Sequence, residues 1–160
     1  MTEIKPIYAC GKFGKMIPVR LLPGTDLING LKKVCEDNGV RYGVLITAIG
    51  SLQKLTFKTF VPNEKAKLGA AYTEAEVLPG PIEILGVNGV IVETESGEVA
   101  FHLHGSFADK HGRVYGGHLV DGGNPILATL DAVIGEVTGA KIMRRYAEEA
   151  DLNLSTPEPL

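Results

Sequence analysis

The sequence predicts an α+β domain in which one main helix packs on a curved, largely antiparallel β-sheet. Apolar residues recur at helical spacing in one clear segment, and most of the remaining chain consists of short β-type segments bounded by glycine, proline or asparagine. Glycine is also frequent, at 20 of 160 residues, which suits tight turns between many strands.

The main helix is predicted to begin after Pro23 and Gly24, with Thr25 as its N-cap, and to stop at Gly39. Cys35 falls on its apolar face, so we expect a buried structural thiol rather than a reactive one. The apolar residues at helical spacing are Leu27, Ile28, Leu31, Val34 and Cys35.

The predicted strands occupy most of the rest of the chain. Asn88 and Gly89 form a strong hairpin signal, although the same dipeptide also occurs at a bulge within one long strand, and both interpretations stay open. The predicted segments are 15–22, 42–49, 55–61, 70–78, 82–93, 99–107, 118–120, 127–137 and 141–146.

Length and composition predict a single domain over residues 1–154, followed by a flexible C-terminal tail over residues 155–160. The net charge of −3 argues against a protein that holds nucleic acid by bulk positive charge. No apolar run of membrane-spanning length occurs, and the two cysteines have no CxxC spacing. We therefore expect a cytoplasmic protein with reduced thiols and no membrane partner.

All four histidines lie between positions 102 and 118. If residues 99–107 form a strand, His102 and His104 project from the same face, with Cβ atoms roughly 6 to 7 Å apart. His118 follows a glycine pair after an excursion long enough to return the chain beside that strand. Three neutral imidazoles describe an open site for zinc or another divalent transition metal, in which water or an anion completes the coordination.

Other interpretations of these residues stay open. His102 and His104 could lie on a solvated sheet face, and His118 could satisfy a buried backbone group. His111 lies in a polar turn, where an exposed loop side chain is expected. Glu83 is the candidate for proton transfer if the site is hydrolytic, although a polar position on an exposed strand explains it equally well.

Taken together, the motifs resemble the plants-and-prokaryotes-conserved (PPC) domain. The resemblance spans most of the chain and depends on the order of its motifs. The matching segments are 20–24 before the helix, 47–51 after it, 83–89, 97–108 with the His-x-His pair, and 116–119 with the glycine-glycine-histidine strand.

This resemblance, to the stand-alone prokaryotic type of the family, implies a trimer-forming domain. In some prokaryotic members the histidines that match His102, His104 and His118 bind a metal, typically zinc. The resemblance suggests a trimeric module that holds an exchangeable small ligand at the metal, with the substrate and any enzymatic activity left open. Plant members carry AT-hook segments that bind the DNA minor groove, and this chain has no Arg-Gly-Arg-Pro element.

A DNA-binding or protein-interaction module, with a structural metal or none, is the alternative. A trimer could gather scattered cations into one basic surface, although such residues are ordinarily solvated. They are Lys12, Lys15, Lys32, Lys33, Arg144 and Arg145.

Overall fold

A computed structural model describes residues 5–160 as ten strands and one helix. In chain order, the elements are β1 (Lys12–Leu21), α1 (Leu27–Asn38), β2 (Gly43–Lys58), β3 (Phe60–Pro62), β4 (Ala70–Tyr72), β5 (Glu76–Glu93), β6 (Val99–Ala108), β7 (Val114–Leu119), β8 (Ile126–Thr138), β9 (Ala140–Ala147) and β10 (Leu152–Pro159).

Eight strands form one sheet in the order β1-β8-β2-β7-β6-β5-β9-β10, and β3 and β4 form a separate two-stranded ribbon. The pairings are mainly antiparallel, while β5 and β9 are parallel where Glu93 meets Met143. Because β2 also pairs with β5, the sheet curls until these two strands meet. Residues 5–160 are therefore mostly β, with a single 12-residue helix.

The N-cap of the helix lies one residue later than predicted. Asp26, not Thr25, is the N-cap, and its side chain accepts a hydrogen bond from the Asn29 amide. Both residue types can cap a helix, so the sequence alone favoured the wrong neighbour. Gly39 ends the helix in a left-handed conformation, as predicted.

Several predicted strand boundaries are wrong. Segments 42–49 and 55–61 belong mainly to the single strand β2, because the backbone continues through Gly50 and pairs with β5 and β8 on either side. Segment 70–78 instead divides between β4 and the start of β5. The strand β5 runs without a register break through Asn88 and Gly89, so this dipeptide forms no hairpin.

The flexible tail predicted for residues 155–160 is also wrong for most of its length. Residues 155–159 continue β10, which pairs with β9 from Leu152 to Pro159. The prolines at positions 157 and 159 are compatible with this pairing, because β10 is an edge strand and one side of its backbone needs no partner. The predicted domain boundary at 154 falls inside this strand.

One apolar core lies between the helix and the concave side of the sheet. Leu27, Ile28, Leu31 and Cys35 bury the inner face of α1. Phe101, Leu103 and Phe107 contribute the inner face of β6 to the same core. Within residues 5–160, no helix has both the length and the apolar content needed to cross a bilayer.

Candidate metal centre

Strands β6 and β7 form the antiparallel pair on which the three candidate histidines lie. His102 and His104 alternate with the buried Phe101 and Leu103, so both imidazoles project from the outer face of β6. His118 lies directly opposite His104 in the β6–β7 ladder. The sheet register therefore brings all three side chains to one place, as the sequence spacing predicts.

The three imidazoles converge closely. Their ring centroids are 5.0 to 5.3 Å apart, and one nitrogen from each ring lies within 4.8 Å of the other two. The Nε2 atoms of His102 and His104 are 3.0 Å apart. Two nitrogens that each lie about 2.1 Å from a tetrahedral ion are about 3.4 Å apart, so the His102–His104 pair is near the spacing that a shared divalent ion requires.

The histidines differ in exposure. His104 is exposed, whereas His102 and His118 are half-buried. Burial, followed by the neighbouring His102 and His104, lowers the pKa of His118 to about 4. Burial, followed by His104 and then Arg144, also lowers the pKa of His102. Both rings are accordingly neutral near pH 7, the form in which imidazole binds a metal.

One nitrogen of the cluster is consistent with a coordinating role. The Nδ1 atom of His118 is buried and has no hydrogen-bond partner among residues 5–160. An unsatisfied buried nitrogen is costly, and a coordinating ion would satisfy a lone pair placed there. Within the described chain, His102, His104 and His118 are also the only group of three or more histidine, cysteine or acidic side chains close enough to share an ion.

The other candidate residues lie elsewhere. Glu83 is exposed and pairs with Ala108, four residues along β6 from His104, which corresponds to about 13 Å. The structure therefore does not bring this carboxylate to the histidine cluster. His111 is exposed in the β6–β7 turn, as expected, and its backbone amide donates to Asp109 Oδ1.

Sequence reasoning missed two side chains beside the cluster. The Tyr72 ring lies against His118, with ring centroids 5.1 Å apart. Arg144 belongs to β9 and lowers the pKa of His102 and His118 after the larger effects of burial and of the other histidines. No motif links either residue to positions 102–118, because the folding of β4 and β9 alone brings them there.

The fold is similar to solved structures of archaeal proteins. A metal-containing protein from Archaeoglobus fulgidus superposes with a TM-score of 0.78 at 24% identity, over 95% of this chain and 99% of that one. A plant- and prokaryote-conserved protein from Pyrococcus horikoshii gives a TM-score of 0.77 at 24% identity, over 97% of this chain and 99% of that one.

Sequence comparison gives a second group of relatives. The chain is 32% identical over 108 residues to the bifunctional protein GlmU of a Synechococcus strain, a match that covers 68% of this chain and 15% of that protein. The chain thus spans a small part of the length of the curated relatives it matches. Residues 8–138 match the Plants and Prokaryotes Conserved (PCC) domain, also written PPC, and the chain therefore belongs to this family.

Proposed function

We propose that this PPC-domain protein is a metal-binding module that holds zinc, or another divalent transition metal, through His102, His104 and His118. The observation that carries the proposal is the convergence of three imidazole nitrogens within 4.8 Å of one another. The donor set contains neither cysteine nor carboxylate, which suits a borderline ion such as Zn²⁺ better than Mg²⁺ or Ca²⁺.

Three protein ligands leave a coordination position for an exchangeable small ligand. Zinc with three imidazole ligands supplies a positive centre that binds and polarises an oxygen-containing molecule. The exposure of His104 supports access from solvent to this position. That the Archaeoglobus protein contains a metal is consistent with the same use of the fold here.

Catalysis is not part of this proposal. Glu83, the one carboxylate considered for proton transfer, is too distant from the histidines to reach a ligand they hold. The bifunctional activity in the name of the Synechococcus relatives belongs to proteins of which this chain matches only 15% of the length.

Metal analysis tests the proposed ligands. We expect the purified protein to retain close to one zinc ion per chain, and a His102→Ala/His104→Ala variant to lose it. His111→Ala is the matched control because it removes an exposed histidine from the same hairpin. Equal metal content in the wild type and the double variant would refute the assignment.

We also propose that the module is a homotrimer. Four large apolar side chains support self-association because they are exposed on the outer side of β1 and β2: Phe13 (67%), Met16 (65%), Ile46 (43%) and Ile49 (53%). Sedimentation should give three times the chain mass of 17.1 kDa, and Ile49→Glu should reduce it. Val114→Glu, at an exposed apolar position on β7, is the control, and a monomeric wild type would overturn the proposal.

The DNA-binding alternative has weaker support. Three of its candidate cations already have acidic partners: Lys32 pairs with Asp121, Lys33 with Asp37, and Arg145 with Glu158 and Glu95. We expect no mobility shift of duplex DNA at about 50 mM salt, where contacts to phosphate are strong. A salt-dependent shift would favour the alternative.

We further propose a cytoplasmic location, since both Cys10 and Cys35 are free thiols, which suits a reducing compartment.

A further inference from the structure

A cavity of about 730 Å³ opens beside the histidine cluster. His102 and His118 form part of its wall, and much of the rest comes from β2, β3, β4, β9 and β10. Its volume lies within the usual range for a small-molecule site. Much of the lining is apolar and comes from Phe60, Tyr72, Leu152 and Leu154.

Two cationic side chains line the same cavity without partners. Lys58 and Arg144 are both half-buried, and among residues 5–160 neither side chain has a hydrogen-bond or ion-pair partner. Removing a cation from water without a partner is unfavourable, so this arrangement favours an anion between them. Among residues 5–160, the one carboxylate on the cavity wall is that of Asp121, which is already paired with Lys32 at 2.6 Å.

The next residue along β9 provides a contrast. Arg145 pairs with Glu158 at 3.0 Å and with Glu95 at 3.2 Å, so its charge is compensated within the fold. It does not line the 730 Å³ cavity. The free charge of Arg144 is therefore a property of its position at the cavity, not of β9 in general.

We propose that this cavity binds a small organic anion. Its carboxylate or phosphate group would lie between Lys58, Arg144 and the metal held by the histidines, and its apolar part against Phe60 and Tyr72. The inference rests on the proposed metal centre for one contact to the anionic group. The other contacts rest on Lys58, Arg144 and the apolar wall of the cavity. The inference assigns a chemical class to the exchangeable ligand: an oxyanion joined to an apolar group.

Calorimetric titration of the zinc-loaded protein tests the proposal. The probes are benzoate and phenyl phosphate, which distinguish a carboxylate from a phosphate, and benzamide, which has the same ring without the charge. We expect at least one anion to bind and benzamide to bind at least about tenfold more weakly. Equal affinity for benzamide, or no binding of either anion at about 10 mM, would overturn the inference.

Variants of the two arginines identify the binding residue. Arg144→Ala should weaken anion binding by about tenfold or more, whereas Arg145→Ala should leave it unchanged. Arg144→Lys keeps the charge and should retain part of the affinity, which separates loss of charge from loss of packing. Unchanged anion affinity in Arg144→Ala, with its folding verified by thermal unfolding, would refute the role of this residue.

A second readout separates this inference from the metal proposal. Cobalt substitution gives a visible absorption spectrum, and benzoate or phenyl phosphate should change it in the wild type. Arg144→Ala should bind cobalt normally and need more anion for the same change. If the wild type binds no metal, the metal centre itself is refuted. If the cobalt-loaded wild type shows no spectral change with either anion, only the proposed ligand class is refuted.

Discussion

His104 and His118 face each other directly across the β6–β7 pair. Strand β7 is held in turn by β2, where Lys58 pairs with His118 and Phe57 with Leu119. The position of one candidate ligand therefore depends on how closely the backbones of β7 and β2 approach each other.

Gly117 permits this approach, and its substitution tests the point. A Cβ at Gly117 would lie 2.5 Å from the Lys58 carbonyl oxygen, whereas one at Gly116 would meet its nearest atom, the Gly105 oxygen, at 3.3 Å. Gly117→Ala should cost about 1–3 kcal/mol of stability and weaken zinc binding by displacing His118. Gly116→Ala should change both less in urea unfolding and zinc titration, and equal effects would contradict the prediction.

The Asp26 carboxylate joins the start of the helix to the loop before β8. Its Oδ1 accepts a hydrogen bond from the backbone N–H of Asn29 at 3.1 Å, and its Oδ2 accepts one from the backbone N–H of Asn124 at 2.9 Å. Asp26→Ala should therefore lower the free energy of unfolding by about 1–2 kcal/mol in a urea titration. Thr25→Ala is the control and should cost less, so a larger loss from Thr25→Ala would return the cap to that residue.

The Glu93 carboxylate, at 15% exposure, accepts hydrogen bonds from the Arg41 guanidinium and, at 3.1 Å, from the Tyr42 hydroxyl. The hydrogen bond from Arg41 is the largest effect that holds the pKa of Glu93 below its usual value. A carboxylate whose pKa is lower in the folded than in the unfolded state stabilises the folded protein. This stabilisation is fully present at a pH above the unfolded-state pKa of about 4.3, and it is lost as the pH falls through the folded-state pKa.

Glu93→Gln should accordingly reduce the free energy of unfolding by about 0.5 kcal/mol near neutral pH. The difference from the wild type should shrink as the pH falls below about 4.3. Urea unfolding between neutral and acidic pH measures it. A difference that stays constant down to acidic pH would show that lost packing, rather than charge, explains the effect.

The two thiols should react at very different rates. Cys10 is exposed, whereas Cys35 lies in the core, where burial raises its pKa to about 12. Only the thiolate is nucleophilic, so Cys35 should stay unmodified near pH 8 while Cys10 reacts with a disulfide reagent. Unfolding in urea should expose the second thiol, and a Cys10→Ser variant that still reacts fast when folded would contradict the buried assignment.

Removal of residues 155–160 tests the last strand. Because Ser155 to Pro159 pair with β9, we expect the shortened chain to melt at least about 3 °C lower than the full chain. Glu158→Gln provides a milder comparison that keeps the strand and removes only the ion pair with Arg145. An unchanged melting temperature of the shortened chain would restore the interpretation of this segment as a tail.

Much of the site was predictable because it depends on local alternation. The pattern of residues 99–107 predicted strand β6 to within one residue, and alternation then placed His102 and His104 together. The return of His118 needed only a hairpin of ordinary length. Arg144 and Lys58 could not be assigned in this way, because their positions at the cavity depend on long-range pairing of β9 and β2 that no local pattern encodes.

Glycine explains one error in the predicted strands. The sequence predicts a break between segments 42–49 and 55–61, next to Gly50, because glycine commonly marks turns. In the fold, Gly50 has φ +149°, and a Cβ there would lie 2.1 Å from the Thr129 oxygen. This glycine allows β8 to approach an uninterrupted strand, a role that sequence alone does not distinguish from a turn.

Because side chains alternate along β6, the candidate metal ligands are different residues from those that pack the core. The side chains that stabilise the fold point inward, while those that would hold an ion point outward from a single hairpin. Replacing the outward-facing histidines would therefore remove or alter metal binding without changing the packing of the core. Natural variation, or a protein engineer, can thus exchange the ion-binding capacity of this scaffold through three positions on adjoining strands.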